Sequence, residues 1–294
     1  MKIYDCTTFY SEKMMLDLRF NILNKDVHKF IIVESCFSHS GEKKIFNFNI
    51  NDYPKFKDKI IYLKIYEEPN NLFKQKNELI NSYNKRLNSI KRIEQSYDYM
   101  MKGVQEAQDD DLIIISDNDE IPNLDSDTFQ NTNKNFIIFK QLLFYYKFNL
   151  FYELMPWFGS KACKKKYLKS FSNLRNLKNK KYPFWRLDTY LSNIKETSVE
   201  IINDGGWHFT NIKTPEELYN KMKNFGHHDE FDDSKLTVDD LKKKIANEVV
   251  FYDHFADKTS KNKWQNDYKL KKIENHLLPN YLVQNLNNYK EWFK

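Results

Sequence analysis

Cysteine is scarce in this chain. Only Cys6, Cys36 and Cys163 occur in 294 residues, an odd number with no CxxC pair. That excludes a disulfide-stapled scaffold and a cysteine-based structural zinc site. Glycine and proline are also few, at 6 and 7, which excludes collagen-like and linker-like chains. No apolar run approaches the roughly 18 residues of a membrane-spanning helix. The opening Met1-Lys2-Ile3-Tyr4-Asp5 carries no apolar signal region, so the expectation is a cytoplasmic, reducing location. A strong excess of one charge is missing too. Lys and Arg number 47 against 41 Asp and Glu, a net +6 that suits an anionic substrate or surface but is no nucleic-acid signature. What is abundant is aromatic: 16% of residues, within 40% apolar, which excludes disorder. At about 150 residues per domain the length allows one large domain or two small ones.

Short apolar runs alternate with helical stripes through the first half. Lys2–Tyr4, Phe30–Val33, Ile60–Ile65 and Leu112–Ile115 read as strands. Met15, Leu18 and Ile22 recur at helical spacing, and a longer stripe runs from Leu87 to Ala107. Continuous apolar strands between amphipathic helices predict an α/β fold with a mostly parallel sheet covered on both faces. Phe136–Phe151 reads as a strand pair at the sheet edge, and Lys161–Lys181 as a basic, irregular loop, either solvated or lying over an anionic ligand. Thr214-Pro215-Glu216-Glu217 has capping-box spacing with proline at the first helical position, and Thr237 to Asp240 repeats the cap. Pro279 precedes a last helix with Leu282, Leu286 and Tyr289 on one face. With no repeat and no flexible linker, the reading is one domain over 1–294 with a C-terminal helical extension.

The sharpest chemical signal is Ile113-Ile114-Ile115-Ser116-Asp117-Asn118-Asp119-Glu120-Ile121-Pro122, a buried strand running into three carboxylates. Ligands of open α/β sheets sit beyond the carboxyl ends of strands. Asp117 and Asp119 are two apart, so an extended backbone would point both to one side. Clustered carboxylates repel, and a divalent cation of the Mg²⁺ or Mn²⁺ type, completed by phosphate oxygens, resolves that. The bland alternative is an acidic turn. Two enzyme classes place DxD after a strand. Phosphatases use the first Asp as nucleophile, normally on the first strand. Nucleotide-sugar glycosyltransferases of the GT-A fold carry it on a middle strand, as here.

The same stretch resembles the IISDxDEIP motif of glycosyltransferase family 17, which includes the β-1,4-mannosyl-glycoprotein 4-β-N-acetylglucosaminyltransferases. Lys2-Ile3-Tyr4-Asp5-Cys6-Thr7-Thr8-Phe9 resembles that family's opening, and Phe30-Ile31-Ile32-Val33-Glu34 with His39-Ser40-Gly41 its next segment. Gly206-Trp207-His208-Phe209, Lys221–Asp229 and Pro279 to Asn285 follow in family order. The chain departs at Asn118, between the aspartates, and at His228-Asp229, where Gln-Glu is common. It also lacks arginine within Glu94–Asp98, leaving Arg86 or Arg92 to substitute.

The resemblance implies a GT-A-like (Rossmann-like) sheet, with residues 1–122 binding a nucleotide sugar and 123–294 forming the acceptor side and C-terminal helices. It implies metal-dependent, inverting transfer of N-acetylglucosamine from UDP-N-acetylglucosamine to a glycan acceptor. Asp117 and Asp119 would hold Mn²⁺ or Mg²⁺ and the diphosphate, with Asp119 the more direct ligand. His208, in a Gly-Gly-Trp-His corner, can ligate through a neutral ring nitrogen, and Trp207 can stack on a sugar face. Asp5 and Glu34 end strands where such enzymes contact the nucleoside; Glu34 is alternatively a solvated strand end. Arg186 matches diphosphate geometry, or is a surface salt bridge. Asp229, with Glu230 second, is the candidate catalytic base. No nucleic-acid partner and no membrane span are expected. A metal-dependent phosphatase and a non-enzymatic basic binding protein are the rival readings.

Overall fold

The computed structural model describes residues 1–74, 78–226, 228–255, 263–264 and 267–294, with the backbone alone at 78–82 and 229. The first half follows the apolar runs. Strand β1 (Ile3–Thr8) leads through helix α1 (Lys13–Leu23) to β2 (Lys29–Ser35), then β3 (Ile60–Ile65), α2 (Glu78–Gly103) and β4 (Leu112–Ser116). These strands pair in parallel in the order β3-β2-β1-β4. After β5 (Glu120–Pro122) and α3 (Asp127–Asn131) come β6 (Phe136–Phe139), β7 (Leu142–Tyr145), β8 (Leu150–Phe151), β9 (Lys161–Lys164) and α4 (Phe171–Arg175). Strands β10 (Val199–Ile202) and β11 (Gly206–Thr210) precede α5 (Pro215–Asn224), α6 (His228–Ser234) and α7 (Val238–Ala246). The chain ends with β12 (Lys271–Lys272) and α8 (Asn280–Gln284).

The α/β class holds, but the mostly parallel sheet does not. There are two sheets, both mixed. The larger runs β10-β6-β9-β4-β1-β2-β3, and β9 lies antiparallel to both β4 and β6. The smaller runs β12-β8-β7-β11-β5 and is antiparallel except for the β11–β7 pair. Two sequence expectations fail for one reason, that strands recruit partners far along the chain. Phe136–Phe151 is not an edge pair: β6 sits inside the large sheet, while β7 and β8 belong to the small one. Lys161–Lys181 is not simply an irregular loop, because it opens on β9 and contains α4.

The period of two along the strands divides the core. Phe30, Ile32, Leu112, Ile114 and Ile137 face one side, against α1 and the C-terminal residues Leu282 and Tyr289. Ile31, Val33, Ile113, Ile115 and Ile138 face the other, against Met100 of α2, Val104 just past its end, and Phe171 and Leu174 of α4. Burial on both faces explains why these strands read as unbroken apolar runs. A third cluster packs the small sheet against Leu218, Phe231 and Leu241 of α5, α6 and α7. Both capping boxes form, Thr214 with Glu217 and Thr237 with Asp240. Among the described residues no helix is long and apolar enough to cross a membrane.

Candidate active site

The acidic motif lies where the two sheets meet. Strand β4 ends at Ser116, the chain turns, and β5 begins at Glu120 in the second sheet. The turn is tight rather than extended. The Glu120 amide donates to the Asp117 carbonyl at 3.0 Å, and the Asp117 amide donates to Glu120 Oε2 at 2.8 Å. Strand β11 braces it, since the Phe209 amide donates to the Asp119 carbonyl at 2.8 Å. Gly206 makes that bracing possible. Its φ is +111°, and a Cβ there would collide with the Ile121 carbonyl oxygen. Gly206 is thus explained by strand β5, and Gly205 by the backbone of Lys140 and Ile202, which a Cβ there would meet.

One cation serves two of the acids, and the third has its own partners. Arg175, the last residue of α4, donates to Asp117 Oδ2 at 2.8 Å and to both oxygens of the fully buried Glu120 at 2.6 and 2.8 Å. Trp157 Nε1 completes Glu120 at 2.7 Å. Asp119 stands 3.4 Å from both His208 Nε2 and Lys221 Nζ. Burial raises the Asp117 carboxyl to about 6, because Glu120 and Asp119 repel its charge and Arg175 only partly compensates. Burial acts the same way on Asp119, but Lys221 and His208 outweigh it and hold that carboxyl well below the usual range.

These groups open into a cleft of about 530 Å³ whose floor is the carboxyl ends of β1, β2 and β4. Asp117, Asn118, Asp119, Trp157, Arg175, His208 and Lys221 line it. His39, Lys44, Arg86 and Arg92 line it too. Arg86 bonds the Gly226 carbonyl, while Arg92 holds Glu68 and donates to the His39 carbonyl at 3.1 Å. Both arginines considered as substitutes for the missing one therefore reach the cleft. A second cavity of about 480 Å³ shares Glu12, Asp119 and Lys221 with the first and is otherwise lined by residues such as Lys213, Glu217 and Trp292.

Asp117, Asp119 and His208 are brought together; other anticipated residues are not. Asp5 is fully buried in a two-point pair with Arg19, at 2.5 and 2.7 Å, and Arg19 also donates to the Glu120 carbonyl at 2.6 Å. It supports the acidic turn from below instead of facing the cleft. Glu34 is buried too, and neither solvated nor open to a ligand. It accepts from Lys44, Tyr62 and the amides of Asn47 and Phe48, and so clamps the 44–48 loop. Trp207 alternates away from His208 and donates to the Leu277 carbonyl at 2.7 Å, whereas Trp157, 4.5 Å from the His208 ring, lines the cleft. Arg186 lies outside it in a surface pair with Asp188 at 2.6 Å. Glu230 is ion-paired to Lys263. Asp229 is in the first turn of α6, three residues past the cleft-lining Gly226; its side chain is outside the described residues.

Arg175, Lys221 and Trp157 escaped the sequence reading. Arg175 had one signal: it is the single arginine in the lysine-rich 161–181 segment. Nothing in the sequence tied Trp157 to Glu120, 37 residues away.

Among the described residues no three His, Cys, Asp or Glu converge as a closed metal cage. The donor set still fits a divalent cation of the Mg²⁺ or Mn²⁺ kind, which binds through one or two protein groups plus substrate phosphates. Asp119 Oδ1 and His208 Nε2 face each other 3.4 Å apart, and His208 Nδ1 is buried without a partner.

Residues 1–293 match the family model described as Glycosyltransferase family 17. The chain belongs to glycosyltransferase family 17. This family 17 protein is therefore an enzyme that transfers a sugar, and neither rival reading is needed. No curated relative matches it. Among solved structures, the inositol-1-phosphate CTP transferase from T. maritima aligns over 76% of this chain and 96% of its own, at 11% identity and a TM-score of 0.33. A likeness that low carries no weight here. In the family 17 chain the whole site, from Thr8 to Gly226, falls inside the matched residues.

Proposed function

We propose that the larger cleft binds a nucleotide sugar, with UDP-N-acetylglucosamine the donor to test first, and transfers its sugar with inversion to a glycan acceptor. The observation that supports this reading is the meeting of Asp117, Asp119 and His208 with Arg86, Arg92, Arg175 and Lys221 around one cleft at the carboxyl ends of parallel strands. Several cations lining one cleft suit a diphosphate. Asp119 and His208 would hold Mn²⁺ or Mg²⁺, which supplies Lewis-acid neutralisation of the diphosphate. Arg175 and Lys221 add fixed positive charge where the leaving nucleoside diphosphate develops its own. GT-A is the fold this reading assigns to the β3-β2-β1-β4 quartet and the acidic turn after β4.

The acceptor reaches the same point from the second cavity, which meets the first at Asp119. A carboxylate must take the acceptor hydroxyl proton as its oxygen attacks the anomeric carbon. Asp229 is the base the family resemblance implies, and Glu230 is occupied by Lys263. Glu12, itself ion-paired to Lys213 at 3.6 Å, competes for the role because it lines both cavities.

The deciding experiment offers a panel of nucleotide sugars with Mn²⁺ and measures free nucleoside diphosphate. Release from one donor that grows on adding a glycan acceptor is the expected result. No release from any donor, or release of inorganic phosphate from a phosphomonoester, sinks the reading.

A further inference from the structure

One surface loop is left over by everything above. The Lys178 amide donates to the Ile194 carbonyl at 2.8 Å and closes a neck around residues 178–194. Inside, Asp188 is held by Arg186 at 2.6 Å and by Lys195 at 2.7 Å, and Thr189 Oγ1 donates to the Arg186 carbonyl at 2.6 Å. The loop is thus internally bonded, yet it turns its large apolar side chains outward. Leu191 is 93% exposed, Leu187 78% and Phe184 73%, with Trp185 and Tyr190 close behind. Of fourteen exposed large hydrophobics among the described residues, five fall within the eight residues from 184 to 191. Scattered singly, such residues need no explanation; clustered, they mark a contact surface.

The charge around them has one sign. Residues 178–195 hold five Lys and Arg against one acid, a net +4. Lys178, Lys180 and Lys181 are exposed at the neck. The one acid in the loop, Asp188, is already neutralised by its two partners. Aromatic and aliphatic side chains beside a lysine-rich base make the composition of a segment that seats in the headgroup region of an anionic bilayer. A sugar platform would need flat aromatic faces with free acids or amides, and Leu187 and Leu191 offer neither. A protein interface is depleted in lysine.

We propose that the 178–195 loop docks this enzyme on an anionic lipid surface, with Phe184, Trp185, Leu187 and Leu191 entering the interface and the neck lysines meeting phosphate headgroups. The neck begins three residues after Arg175, whose guanidinium is in the cleft. Docking therefore brings the site to the membrane, where an acceptor carried on lipid would be presented. This inference does not depend on the donor or on the catalytic base.

The test is co-sedimentation of the full chain with phosphatidylcholine vesicles, with and without about a third phosphatidylglycerol. The wild type should pellet with the anionic vesicles, less so at high salt, and weakly with phosphatidylcholine alone. Trp185→Ser with Leu191→Ser should lower anionic-vesicle binding by about tenfold or more. Lys178→Gln with Lys180→Gln should weaken it and flatten its salt dependence. Both variants should keep the wild-type melting temperature and nucleoside diphosphate release with water-soluble substrates, because these side chains pack against little. The proposal is overturned if the wild type ignores anionic vesicles or if the serine variant binds them equally well. It is overturned too if the wild type self-associates in solution and the serine change makes it monomeric, since the loop would then be an interface between copies.

Discussion

Lys161 Nζ, on the central strand β9, donates to the main-chain carbonyl of Arg175 at 2.9 Å. A second bond at 2.5 Å to the Leu177 carbonyl closes the carboxyl end of α4, leaving the Arg175 guanidinium on Asp117 and Glu120. A lysine 5% exposed is rare unless its charge is satisfied, and here backbone oxygens at a helix end do so. Lys161→Met should therefore cut transfer by about tenfold or more through misplacement of Arg175, while Arg175→Lys, which cannot span two carboxylates, should cut it at least as far. Steady-state rates decide; a Lys161→Met enzyme at full rate would make the lysine a packing residue only.

The same lysine sets a pH dependence. Burial, helped by repulsion from Arg175, lowers its pKa from 10.5 to about 8. Below that value both folded and unfolded chains carry the proton, and the buried charge weighs on stability. As pH rises from about 8 to 10.5, the folded chain releases the proton that the unfolded chain keeps, so this contribution to stability increases. Urea titrations across that window should show the increase in wild type and its loss in Lys161→Met.

Asp119→Ala should leave the fold intact, abolish transfer and weaken donor binding. A variant retaining more than about a tenth of the wild-type rate, a loss below ~1.4 kcal/mol in barrier, would contradict its role. His208→Ala should raise the Mn²⁺ concentration needed for activity, read as a shift in the metal titration at fixed donor.

The base is settled by three amides. Asp229→Asn should lower the transfer rate about 100-fold or more with donor binding intact, as loss of a general base does. Glu12→Gln with that pattern, and Asp229→Asn without it, would move the role to the carboxylate between the cavities. Glu230→Gln should change stability through Lys263 rather than the chemical step.

Arg19→Met removes one partner of a fully buried ion pair and two supports of the acidic turn. It should cost about 3–5 kcal/mol of unfolding free energy. Equilibrium denaturation measures this, and a loss under about 1 kcal/mol would mean that Asp5 relaxes to water.

The acidic turn was legible because a buried strand ending in carboxylates is a local pattern, and His208 because its motif came in family order. Glu34 and Asp5 were misplaced for a shared reason. A carboxylate at a strand end reads alike whether it meets solvent, a nucleoside or Arg19, and only the packing of α1 and the 44–48 loop decides. Trp207 was placed in the site beside His208 although the period of two makes neighbours face apart; it does not say which of them faces the cleft.

The amino-acid sequence by itself determined the parallel strand quartet, the caps at Thr214 and Thr237, the acidic turn after the middle strand and the family. Each is written in contiguous residues, in apolar period, cap spacing or motif. Tertiary structure alone decided that β9 runs antiparallel inside the large sheet, that Arg175 and Lys221 neutralise different acids, and that the two cavities meet at Asp119. Those relations join residues from 23 to 102 positions apart. Such pairings arise from chain crossings between sheets, and no local periodicity encodes them.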